Sequence, residues 1–146
     1  MQIETPRFGL IEVEPEQIVT FEQGIPGFEE LKRYVWIYPE QQSPFAFMQS
    51  LDDPDLTFII ADPFVFFPEY EVDLPSEVKS SLQIVAIESV RIWNIVTIRK
   101  SMDDGTLNLL APIVVNLANQ QARQLVLSDS SYKTNHRLQR SEREKG

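Results

Sequence analysis

Val90-Arg91-Ile92-Trp93-Asn94-Ile95-Val96-Thr97-Ile98-Arg99 is the stretch on which the fold turns. Its residues alternate, yet both alternating sets are partly apolar: Val90, Ile92, Val96 and Ile98 on one face, Trp93 and Ile95 on the other. A strand wetted on one side carries polar residues at every second position. This one predicts a strand with one face in the core and the other against a second element of the chain or a partner.

Working outward, Leu56 to Ala61 is almost continuously apolar and reads as a strand buried on both faces. Ile11–Glu14, Ile18–Phe21, Tyr34–Tyr38, Phe45–Leu51 and Ile84–Ile87 add strands before the central stretch. Leu107–Leu110, Ile113–Asn116 and Gln124–Leu127 follow it, and Met102-Asp103-Asp104-Gly105 reads as a hairpin turn. Two short helices are expected. After the breaker Gly24-Ile25-Pro26-Gly27, one face would hold Phe28, Leu31 and Tyr34, with Glu29 and Arg33 paired four residues apart. The other enters at Asp73-Leu74-Pro75-Ser76-Glu77, and its stripe Leu74, Val78, Leu82 ends it near Leu82. The sum is an all-β dominated chain: a single barrel-like or sandwich domain of about ten short strands with two short helices.

That domain is assigned to residues 1–132. From Lys133 to Gly146 only Leu138 is apolar, which predicts a basic tail that does not order itself. The 146 residues carry 22 acids against 13 bases, a net charge of −9, unevenly spread. The tail holds five bases and two acids, so the body is near −12. Such a surface repels phosphate backbones and anionic headgroups, so neither nucleic acid nor membrane is expected as a direct partner. A basic protein partner suits it. The absence of Cys excludes disulfides and thiolate metal sites, and the single histidine, His136, sits in polar sequence near the end, so a Ser-His-Asp triad or a multi-histidine metal centre is out of reach unless another chain supplies the ligands. No metal, no cofactor and no catalysis are expected, and the free chain is expected to be a monomer. The start, Met1-Gln2-Ile3-Glu4-Thr5-Pro6, lacks a basic and then apolar leader, which makes the cytoplasm the default location.

The densest aromatic run is Asp62-Pro63-Phe64-Val65-Phe66-Phe67-Pro68-Glu69-Tyr70. It reads either as a core or edge strand blunted by its prolines, or as an apolar docking surface rimmed by Glu69, Glu71 and Asp73. Paired acids also stand at Asp52-Asp53 and Asp103-Asp104, where turn roles are the ordinary explanation.

Four segments together resemble the family of the flagellar assembly factor FliW. Phe21-Glu22-Gln23-Gly24-Ile25-Pro26-Gly27-Phe28-Glu29 resembles its F-x-x-G-[IL]-P-G-F-E entry; Phe45, Gln49-Ser50 and Leu51 resemble its P-F-x-x-[LM]-Q-S-L strand. Asn108-Leu109-Leu110-Ala111-Pro112-Ile113-Val114-Val115-Asn116 is similar to its N-L-x-A-P-[IV]-x-[IV]-N signature, and Leu127–Tyr132 to its closing segment. One departure is Ala122, where the family commonly has Gly two residues before Gln124; a turn built differently is expected there.

The resemblance implies a β-rich, barrel-like protein that binds the RNA-binding translational regulator CsrA and, in exchange, flagellin. Accumulated flagellin would occupy the factor and leave the regulator free to repress flagellin translation. Docking is expected at Glu69, Glu71 and Asp73, with Asp103 and Asp104 at the hairpin and Ile98 beside them. Two other readings stay open: a flagellin chaperone without regulator binding, and a β-barrel ligand-binding or carboxylate-based hydrolytic domain.

Overall fold

A computed structural model describes residues 1–101, 104–128 and 131–138. In chain order they form β1 (Gln2–Thr5), β2 (Gly9–Glu12), β3 (Ile18–Thr20), β4 (Arg33–Ile37), β5 (Phe45–Ser50) and β6 (Thr57–Ala61). Helices α1 (Pro63–Phe66) and α2 (Ser76–Ser81) come next, then β7 (Val90–Thr97), β8 (Thr106–Leu107), β9 (Ile113–Asn116), β10 (Gln121–Gln124) and β11 (His136–Arg137).

The two-faced stretch is β7, and it closes the molecule. Along one edge it pairs with β6, through Ile59–Val96, Ile60–Ile95 and Ala61–Asn94. Its first half pairs with β9, from Val90–Asn116 to Trp93–Ile113, and its second half with β8, at Val96–Leu107 and Thr97–Thr106. The order β7-β6-β5-β4-β3-β10-β9 returns to β7, so seven strands close a barrel, and β8 and β11 extend the sheet beside it. All pairings in the barrel are antiparallel except β3 with β10, which meet at Thr20 and Gln121.

Both faces of β7 are buried, against different parts of the same chain. Trp93 and Ile95 point into the barrel with Val19, Phe21, Tyr34, Met48, Ile60, Ile113 and Val115. These side chains fill the axis, so the barrel is a packed core rather than an internal ligand cavity. On the outer face, Ile92 and Val96 join Ala61, Phe66, Tyr70, Val78, Leu82, Leu107 and Val114 in a second core beneath the helices and the C-terminal segment. A third, smaller cluster sets Val35 and Leu51 against Val13, with the β1–β2 hairpin as its cover through Ile3 and Ile11.

The structure corrects the sequence reading in several places. No helix forms at Phe28–Tyr34. Gly24 has φ +72°, and a Cβ there would sit 2.5 Å from the Glu29 Cα, so the chain doubles back on itself too tightly to coil. Ile25 and Phe28 form a bridge instead. Glu29 accepts the Gly27 N–H at 3.1 Å, and Arg33 turns to Asp52, with Nη2 at 2.9 Å from Oδ1. The same Asp52 accepts the N–H groups of Lys32 and Arg33. Burial pushes the Asp52 carboxyl up, but these hydrogen bonds and the guanidinium outweigh it and hold the group below its ordinary range.

The aromatic run is not a strand either. Pro63 has no N–H to continue the β6 ladder, but it suits the first turn of a helix. Asp62 caps that turn, its Oδ1 accepting the Phe64 N–H at 3.0 Å, and α1 results. Ile84–Ile87 pairs with no strand; Val85 is 98% exposed and the chain makes a 3₁₀ turn at Ile87–Ser89. At Ala122 no special turn exists: the residue lies in β10 facing the barrel interior, and the left-handed residue of the preceding turn is Gln120, φ +59°. Packing also runs past Tyr132. The β11 strand pairs with β8, and Leu138 is 5% exposed in the outer core, so the apolar residue of the supposed tail is anchored. The remainder, 139–146, lies outside the described residues.

Candidate docking face

Between α1 and α2 the chain runs along the outer core with its burial alternating. Tyr70 is buried, Val72 and Leu74 are half-buried, and Glu69, Glu71 and Asp73 face outward. That is the period of an extended strand.

Tyr70 is the anchor. Its hydroxyl donates to the Leu109 carbonyl at 2.7 Å and accepts from Asn94 Nδ2 at 3.2 Å, which ties the segment to β7. Burial pushes this phenol up to about 12; the Asn94 bond lowers it and neighbouring Tyr132 raises it. It therefore remains a donor at any physiological pH. The Tyr132 ring lies 4.8 Å from Tyr70, edge to face, and its hydroxyl accepts the Glu71 N–H at 3.1 Å.

Glu71 and Asp73 stand between two grooves. One, about 530 Å³, is lined with Phe64, Leu74, Ile87 and Val90; the other, about 370 Å³, with Leu125, Val126, Leu127 and Tyr132. Ile87 is 63% exposed and Val126 58% exposed, so each groove has an apolar wall open to solvent. The carboxylates of Glu69, Glu71 and Asp73 make no ion pair or hydrogen bond among the described residues, so their field is directed outward. By contrast, Asp62 is engaged by the α1 cap and by Arg91 at 3.4 Å.

The remaining candidates are placed otherwise. Ile98 is half-buried on the outer core, and neither it nor Asp104 lines either groove. Asp104 closes the hairpin turn, its carboxylate accepting the N–H groups of Arg99 at 3.0 Å and Lys100 at 2.8 Å. The Arg99 bond first, then the others, holds its carboxyl below the ordinary range. Asp103 lies outside the described residues. The sequence reading did not single out Ile87 and Val126, which line the grooves, because their apolar runs look like ordinary strand positions. The available signal was Pro68 and Pro75 bracketing the acids, since prolines exclude the segment's ends from a ladder.

A further depression lies at the barrel mouth, about 370 Å³, walled by Trp36, Tyr38 and Trp93. Arg91 covers Trp93 there, its guanidinium 4.4 Å from the ring centre. Glu16 is the one acid lining it, so no facing pair of carboxylates of the kind hydrolysis needs is found there. Among the described residues no helix is long and apolar enough to cross a membrane.

The family model described as FliW protein matches residues 2–138. The flagellar assembly factor FliW of Geobacillus thermodenitrificans (strain NG80-2) is 43% identical over 138 residues, covering 94% of this chain and 95% of that one. The protein of the same name from Bacillus subtilis (strain 168) is 43% identical over 136 residues, covering 93% and 95%. A crystal structure of the flagellar assembly factor FliW superposes with a TM-score of 0.87 at 42% identity, covering 94% of this chain and 96% of the other.

Proposed function

The chain belongs to the FliW family of flagellar assembly factors, and from that premise we propose that it is a non-catalytic cytoplasmic antagonist of a CsrA-type translational regulator, displaced by flagellin. One observation carries the reading: Glu71 and Asp73, with Glu69 next to them, point outward with no partner among the described residues, between two grooves that each have an exposed apolar wall, on a packed domain (residues 1–138) of net charge −10. An RNA-binding regulator must be basic to hold phosphates. An acidic, apolar-lined face steers such a protein into contact and holds it by burial of its apolar groups. Once bound, the acidic body opposes RNA at the regulator's own site, whether or not it covers that site. Flagellin, arriving in excess, takes the factor and leaves the regulator free to repress; export of flagellin reverses the exchange.

Titration of the purified chain into a CsrA homologue at moderate and high salt tests the reading. Binding that weakens with salt is expected, and flagellin should compete with it. No binding at either salt contradicts the antagonist role. Flagellin binding alone, with no regulator binding, would leave a flagellin chaperone in its place.

A further inference from the structure

Beyond the turn at Pro68–Glu69, the segment that carries the acids alternates in burial as an extended strand does, yet it pairs with no strand among the described residues. Apart from the Glu71 N–H, which reaches Tyr132, the backbone N–H and C=O groups of Val72, Asp73 and Leu74 bond to nothing among the described residues. Across the smaller groove a second extended piece is half-paired. Leu125 donates to the Pro112 carbonyl and Leu127 to that of Leu110, both at 2.8 Å, while Val126 between them makes no backbone hydrogen bond among the described residues. In an antiparallel ladder, alternate residues bond to opposite sides, so the Val126 N–H and C=O point away from residues 110–112. By the same alternation the Glu71 bond to Tyr132 marks the side of its segment that faces the groove, and Asp73 shares that side. Glu71, Asp73 and Pro75 wall one flank; Leu125, Val126 and Tyr132 wall the other.

Natural proteins blunt exposed edges with lysines, prolines or bulges. Here prolines stand only at the two ends, Pro68 and Pro75, and the outward positions between them are acids. A second copy of this chain would bring a body of the same strong negative charge and the same acids to the slot, which disfavours self-pairing. A basic strand is attracted.

We propose that the groove between residues 71–75 and 125–128 takes up an extended basic segment of a partner protein as an added strand. Its backbone would bond to Asp73 on one side and Val126 on the other. Its apolar side chains would rest on Leu125 and Tyr132, and its Lys or Arg residues would face Glu71 and Asp73. The proposal rests on the functional reading above only in taking this face as the partner face.

The test uses the full chain and three capped heptapeptides: alternating Lys and Val, alternating Glu and Val, and the Lys–Val peptide N-methylated at alternate residues. The Lys–Val peptide should bind saturably and slow exchange of the Asp73 and Val126 amides by at least about tenfold, while β7 amides are unchanged. The Glu–Val and N-methylated peptides should each bind about tenfold weaker or worse, for lost attraction and lost backbone bonds respectively. A Glu71→Lys/Asp73→Lys variant should lose binding, while Glu4→Lys/Glu30→Lys, an equal change of net charge at exposed positions elsewhere, should keep most of it. Equal binding by the N-methylated peptide, protection confined to other amides, equal loss in both charge variants, or no saturable binding overturns the strand slot. No arm contains the regulator, so a failure of regulator binding leaves this result standing, and the reverse.

Discussion

Strand β7 and the segment 70–74, whose burial alternates as in a strand, lie against each other on the outer core, joined by the Asn94–Tyr70 hydrogen bond. They are opposites in every other respect. β7 is paired along both edges and buried on both faces. The acidic segment is buried on one face, and beyond Glu71 its backbone is unpaired. Backbone groups left open at a surface contribute little to a fold beyond what water already satisfies, yet they are available to a partner. The pair thus separates two situations: β7 holds the barrel shut, and the acidic segment is left open, as the proposed docking requires.

The sharpest break of this comparison is at Trp93. Trp93→Ala removes a nearly buried indole from the barrel core and should cost about 3–5 kcal/mol in urea unfolding. A change under about 1 kcal/mol would mean that the barrel interior is not the stabilising core. Next comes the link between the two regions. Tyr70→Phe strands the Leu109 carbonyl and removes one of the two acceptors of the Asn94 amide, so a loss of about 1–2 kcal/mol is expected, with faster exchange of the Tyr70 and Glu71 amides. In Tyr34→Phe the lost hydroxyl is also buried but has no hydrogen-bond partner among the described residues, so the cost should stay under about 0.5 kcal/mol. The contrast between the two tyrosines would be read in the same denaturation series. Glu71→Lys/Asp73→Lys should leave stability within about 0.5 kcal/mol while slowing regulator association and flattening its salt dependence.

A pH effect is expected at the C-terminal strap. His136 Nε2 accepts the Lys133 N–H at 2.9 Å, which requires the unprotonated nitrogen, and burial first, then Lys133, lowers its affinity for a proton. The native state therefore binds the proton less readily than the unfolded chain. This contribution to stability is whole above the unfolded pKa, about 6.5, and is lost as pH falls through the lower folded value. Denaturation between pH 7.5 and 5 should show the slope, and His136→Gln should reduce it.

Much of the barrel was legible because two-sided burial leaves a mark in composition: Leu56–Ala61 and Val90–Arg99 are apolar on both alternating sets. The misread places share a cause. At Phe28–Tyr34 a helical spacing of Phe28, Leu31 and Tyr34 was overruled by the close approach of Gly24 to Glu29, a tertiary contact no local pattern carries. At 63–66 a proline that ends a ladder starts a helix. At the candidate site, the acids were legible as a rim, but the unpaired edge was not, because backbone pairing depends on what the rest of the chain leaves beside it. Asp104 shows the converse: read in the sequence both as a turn acid and as a docking acid, it serves the turn.

The most direct test is residue-resolved amide exchange of the full chain, alone and saturated with a CsrA homologue. Alone, the amides of Val72, Asp73 and Leu74 should exchange near the rate of unstructured chain, while those of β7 exchange only with global unfolding. With the regulator bound, protection should rise at Asp73 and Val126 and leave β7 as it was. A bound regulator that protects neither would contradict the assignment of this edge to binding.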